Sequence, residues 1–170
     1  MIRSLGGKTP RIHETAFVSE FAYVIGDVEV GESSSIWPGT VIRADSGRIV
    51  IGRHSNVQDN CTLHADADAY IGDGVTLGHG VTCHARKIGD NSLIGNGAVL
   101  NDGVDIGQWC LVAAGSVVPE RVVVPDRSIV RGVPGKVLAQ ILDRHAEMIR
   151  HAAGEYVRRA AQYKAERGLE

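Results

Sequence analysis

Three of the seven histidines in this chain have types and spacing suited to holding one cation. His64 closes a Leu-His pair, and His79 and His84 form G-H-x4-H. Neutral imidazole binds borderline divalent metals well. Three imidazoles around a tetrahedral ion leave a fourth position open for water or substrate. Upstream lie Arg43 and Asp45 in R-A-D, then Gln58 and Asp59 in N-V-Q-D. Donors and acceptors of this kind orient ligating imidazoles and nearby solvent, and Arg43, Asp45 and Asp59 also suit ion pairs along the chain or between subunits. His13, His54, His145 and His151 lack such company and read as surface residues. Cys61, Cys83 and Cys110 form no CxxC and read as small buried hydrophobes in a reducing compartment.

These groups must be positioned by a repeat of six. Val18, Val24, Val30, Ile36 and Ile42 recur at that interval, as do Ile51, Val57 and Leu63, then Ile71, Leu77 and Cys83. The longest run goes from Ile88 through Ile94, Leu100, Ile106, Val112, Val118 and Val124 to Val130. Glycine often follows the aliphatic, and a small residue often stands two positions before it. Neither an amphipathic helix nor a plain alternating strand has this period. A parallel β-helix does, with each hexapeptide as one flat side and the aliphatic pointing inward. Aromatics at 5% and 21 glycines among 170 residues agree, since such a core is aliphatic and turns after every short strand. Extra residues between Ile42 and Ile51, and between Leu63 and Ile71, are expected as small corner loops.

Placed on the repeat, His64 and His84 each follow an inward residue and lie one coil apart. They are therefore expected to stack in one column, about 4.8 Å between rungs. The same column holds Arg43 one coil before and Asn101 one coil after. His79 falls one side earlier, in a column with Asp59. A homotrimer around a three-fold axis would bring His79 of one chain to His64 and His84 of another, completing a site that exists only between subunits.

After Pro134-Gly135 the pattern changes. Leu138, Ile141, Leu142, His145, Met148, Ile149, Ala152, Tyr156 and Ala160 follow helical spacing from Lys136 onward, with Gly154 marking a bend. Residues 1–133 are thus expected as β-helix and residues 134–170 as a helix packed on it or capping it, within one domain. A formal net charge of −2 leaves no basic footprint for nucleic acid or an anionic membrane. The chain also has no apolar run of spanning length and no signal-like N-terminus, so the expected location is cytoplasmic.

The segments SSSIWPGTVIRAD, IGRHSNVQDNCTLHA, YIGDGVTLGHGVTCHARKIGD and IVRGVPGKV resemble the γ-class carbonic anhydrase family of hexapeptide-repeat proteins. The resemblance implies an all-β, left-handed parallel β-helix of triangular coils with a C-terminal helix, assembled as a trimer. It implies a metal held by His64, His79 and His84, zinc by default with Fe2+ or Co2+ also compatible, and a hydroxide on that metal hydrating CO2 to bicarbonate. It assigns Arg43, Asp45 and Asp59 to subunit contacts and Gln58 to the solvent beside the metal. The pattern departs at Ser46, where the family carries a glutamate, and in the short ADADAYIGDGVTLG segment, which lacks the acidic loop of a proton shuttle. Ala85 and Asn96 stand where glycine and methionine are common. Two alternatives follow: a family member that keeps the site without efficient turnover, and a hexapeptide acyltransferase.

Overall fold

The computed structural model describes residues 1–166 and shows a parallel β-solenoid followed by one helix. Each coil lays down three short strands, giving three faces. On the first face Val24, Ile42, Leu63, Cys83, Leu100 and Val118 stack rung on rung. On the second the column is Val30, Ile51, Ile71, Ile88, Ile106 and Val124. On the third it runs from Ile36 through Val57, Leu77, Ile94 and Val112 to Val130. These side chains are buried and converge in one core. Removing each from water contributes about 1.5–3 kcal/mol. The six-residue period therefore reports the inward columns, as expected.

The three cysteines are free thiols inside this core. Burial pushes Cys61 up to about 11 and Cys83 up to about 12, so both stay protonated at neutral pH. The glycine after the aliphatic has a packing reason. A Cβ on Gly72 would lie 2.2 Å from Asp90 Oδ1, the carboxylate of the next coil that folds over this corner.

Two expectations need correction. The residues between Ile42 and Ile51 are not a loop: Val41–Ile51 is one strand that turns the corner beside Tyr23–Val30. Gly26 pairs with Ala44 and Val28 with Ile49, so the segment 45–48 opposes Asp27 alone in a broad bulge. Because both strands pass the corner, the first two faces form one continuous twelve-stranded sheet.

The helix does not begin near Lys136. Gly135–Gln140 is a strand that folds back antiparallel on Ser128–Gly132, with Val133 and Pro134 as the turn. The last rung of the third face needs partners for its free backbone groups, and this hairpin supplies them. Apolar Leu138 fits a helical stripe on paper, yet it sits exposed on that strand. The helix is Asp143–Ala165 and continues through Gly154. An acidic residue in its first turn suits the dipole, and the Leu142 N–H donates to His145 Nδ1 at 2.9 Å. Residues 167–170 of the expected helical segment lie outside the described residues.

The helix covers the third face of its own solenoid, burying Ala146, Ile149, Ala153 and Ala160. Tyr156 and Tyr163 pack edge-on against Trp37, and Tyr163 also meets Phe17. Lys164 Nζ donates to the carbonyls of Glu14 and Ala16 at 2.6 and 2.9 Å, tying the helix end to an early coil.

Candidate metal centre

His64 ends the strand Thr62–His64, and His84 directly follows Thr82–Cys83 on the next rung. Leu63 pairs with Cys83, so parallel register stacks the two imidazoles at the corner between the first and second faces. Their ring centroids are 5.1 Å apart at an interplanar angle of 72°. Arg43 pairs with His64 one rung below, as the column predicts.

Each of these rings has a carboxylate. His64 Nε2 donates to Asp45 Oδ1 at 2.8 Å, and Asp45 is ion-paired with Arg43 of the same chain. The His64 hydrogen bond, then the Arg43 guanidinium, hold the Asp45 carboxyl below the usual range against some desolvation. His84 Nδ1 lies 2.8 Å from Asp102 Oδ1, but off the line a ring N–H would take, so this buried nitrogen has no hydrogen-bond partner.

His79 lies at the other end of the first face, at its corner with the third. It stands in register with Asp59 on one side and Asn96 on the other, because Leu77 pairs with both Val57 and Ile94. Nδ1 is 3.0 Å from Asp59 Oδ2, and Nε2 is 3.4 Å from the Tyr156 hydroxyl on the helix. Gln58 is buried at the same corner, with Nε2 donating to Asn56 Oδ1 at 3.0 Å. Among the described residues no three His, Cys, Asp or Glu side chains of one chain gather closely enough to hold a metal. The chain thus brings two of the expected ligands together and holds the third apart.

The residues fit a borderline divalent cation. The donor set is imidazole nitrogen with a carboxylate behind each ring, and the buried Nδ1 of His84 lacks a hydrogen-bond partner. Sequence reasoning missed Asp102 and Tyr156. Asp102 could have been found as the residue after Asn101 in the histidine column. Tyr156 could not, since only the docking of the helix brings it to His79.

Comparison with known proteins bears on this arrangement. The family model described as bacterial transferase hexapeptide (six repeats) matches residues 87–120. A carbonic anhydrase of Geobacillus kaustophilus (strain HTA426) is 38% identical over 167 residues, covering 97% of this chain and 92% of that protein. The mitochondrial gamma carbonic anhydrase 2 of Arabidopsis thaliana is 35% identical across 94% of this chain, which spans 60% of the plant protein's length. The crystal structure of a hexapeptide transferase family protein from Anaplasma phagocytophilum superposes with a TM-score of 0.92 at 31% identity, covering 95% of this chain and 97% of that one. Fold and repeat define a hexapeptide-repeat solenoid protein with histidines at two of its corners. Within that class, the chain belongs to the γ-class carbonic anhydrase family.

Proposed function

We propose that the chain is a metal-dependent CO2 hydratase. It interconverts CO2 and bicarbonate at a site of His64, His79 and His84 that is completed between the subunits of a homotrimer. The observation that carries this reading is the division of the histidines between the two ends of one face. The outward column of that face is Val41, Thr62, Thr82, Val99 and Val117, without a charge. The second face carries Arg11, Glu29, Lys87 and Asp105 outward, and the third lies under the helix. An uncharged, uncovered face suits the core of a subunit contact. A neighbour laid along it would present its His79 to the His64–His84 corner, and a three-fold axis closes the ring.

Zinc is the expected ion, and Fe2+ or Co2+ suit the same donors. His64, His79 and His84 would hold such an ion as neutral imidazoles, and it would supply Lewis acidity toward water. The chain's own residues prepare the site. Asp45, ion-paired with Arg43, holds the proton of His64 on Nε2 and leaves the lone pair on Nδ1. Asp59 lies beside the His79 ring, and Asp102 faces His84. Gln58, with its amide nitrogen held by Asn56, is placed to orient solvent or CO2. Three unpaired cysteines suit a cytoplasmic location.

A second reading is a family member that keeps the site but hydrates CO2 poorly. It is favoured by the acids near the His64 corner. Ser46 carries no carboxylate, and Asp68 Oδ1 is engaged by the Arg48 N–H at 2.9 Å. The deciding experiment measures metal content and stopped-flow CO2 hydration on one fraction purified without chelators. About one ion per chain, as one shared site per subunit requires, with hydration that a chelator abolishes, is the expected result. Metal without hydration would select the second reading. Absence of metal would overturn both, and acetyl transfer from acetyl-CoA by the metal-free protein would point to an acyltransferase.

A further inference from the structure

We infer that Asn96 is a positioning residue for His79, a role that rests on the metal site proposed above. His79 stands alone at its corner, on a turn between two glycines, without a stacked imidazole to steady it. The next coil supplies the restraint. Asn96 Oδ1 accepts the His79 backbone N–H at 3.1 Å, and the Gly97 N–H donates to the His79 carbonyl at 2.8 Å. The residue is thus held at its N–H and its C=O, with Asp59 Oδ2 3.0 Å from its Nδ1.

The contact is a device built into the fold. At other corners the backbone N–H of one coil is likewise received by a side-chain oxygen of the next: Arg48 by Asp68, Arg53 by Asp73, Asp73 by Asp90 and Gln108 by Asp126. Space for it is reserved in the chain. A Cβ on Gly78 would lie 2.3 Å from Asn96 Oδ1, so only glycine lets the carboxamide fold over the turn that presents His79. Those four contacts use aspartate, whereas the contact at the histidine uses a neutral amide. Asn96 thus receives the backbone hydrogen bond without bringing a second carboxylate to a ring that already faces Asp59. Because His79 is offered to another subunit, a small swing of its turn would displace the donor nitrogen, whereas His64 and His84 share one rigid rung pair.

The test compares four full-length proteins: wild type, Asn96→Ala, Asn96→Asp and Asp126→Ala. The last removes an equivalent clamp at a corner without a ligand. Two readouts are taken: hydrogen exchange at the His79 amide in the apo trimer, and the Zn2+ dissociation constant by competition with a chelating dye. Asn96→Ala is expected to speed exchange at His79 and to weaken zinc about 10–100-fold, the usual range for groups that orient a ligand. Asn96→Asp, which keeps the acceptor, restores slow exchange and most of the affinity. Asp126→Ala leaves zinc binding near wild type. The inference is overturned if Asn96→Ala binds zinc as wild type does. It is equally overturned if Asp126→Ala weakens zinc as much, since the effect would then be general loosening of the coils. A wild type that binds no zinc would instead remove the metal site itself, and this inference with it.

Discussion

At each of the three histidines a carboxylate oxygen comes within 3.0 Å of a ring nitrogen, from Asp45, Asp59 and Asp102 respectively. The chain thus sets an acid beside every imidazole, hydrogen-bonded at His64, and the arrangement repeats although the residues come from different coils. The same scale governs the ion pairs of the second face. Glu29 is held below the usual glutamate range by hydrogen bonds from Arg48 and then Arg11, against some desolvation. A carboxyl depressed in the folded state adds stability above its unfolded pKa, and that stability is lost as pH falls through the folded value. Glu29→Gln is therefore expected to lower the melting temperature at neutral pH, with the gap to wild type closing below the ordinary glutamate range. Scanning calorimetry from neutral to acidic pH checks this, and a gap independent of pH would assign the loss to packing instead.

The element that matters most is the single rung, one inward aliphatic between a small residue and a glycine. Ile106, on the second face and away from the histidines, is 1% exposed. Ile106→Ala should cost about 2–5 kcal/mol, measured by denaturant unfolding, because stacked rungs above and below prevent the cavity from collapsing. A loss below about 1 kcal/mol would mean that the core is not packed to native density. Rungs and their columns could be read from the chain because parallel pairing carries each run of the six-residue period onto the next coil, even where a corner gains residues. The end of the solenoid could not. Leu138, Ile141 and Leu142 satisfy helical spacing, but the open edge of the third face draws Gly135–Gln140 into a hairpin. Likewise the extra residues after Ile42 become a bulged strand, because Tyr23–Val30 runs alongside and pairs with them.

For the whole molecule, the proposed sharing of the site has a direct consequence. In His79→Ala the His64–His84 corner is intact, and in His84→Ala the His79 corner is intact. Each variant alone should bind little metal. After the two are mixed and refolded together, random assortment should restore about a quarter of the sites, because an intact site needs one subunit of each kind at one interface. Measured metal content that does not rise on mixing would place all three ligands in one chain.

The repeat of six, the inward columns, the stacking of His64 on His84 and the separation of His79 were all determined by the amino-acid sequence. Each follows from a local rule, that a strand's hydrogen-bonded register carries every position onto the same position one coil later. Two things were decided only by tertiary structure. These are the helix start at Asp143, set by the hairpin before it, and the contact of Tyr156 with His79. They depend on which face the helix covers and which backbone edge remains unpaired. No repeat encodes these, because they are settled by contacts between residues far apart in the chain.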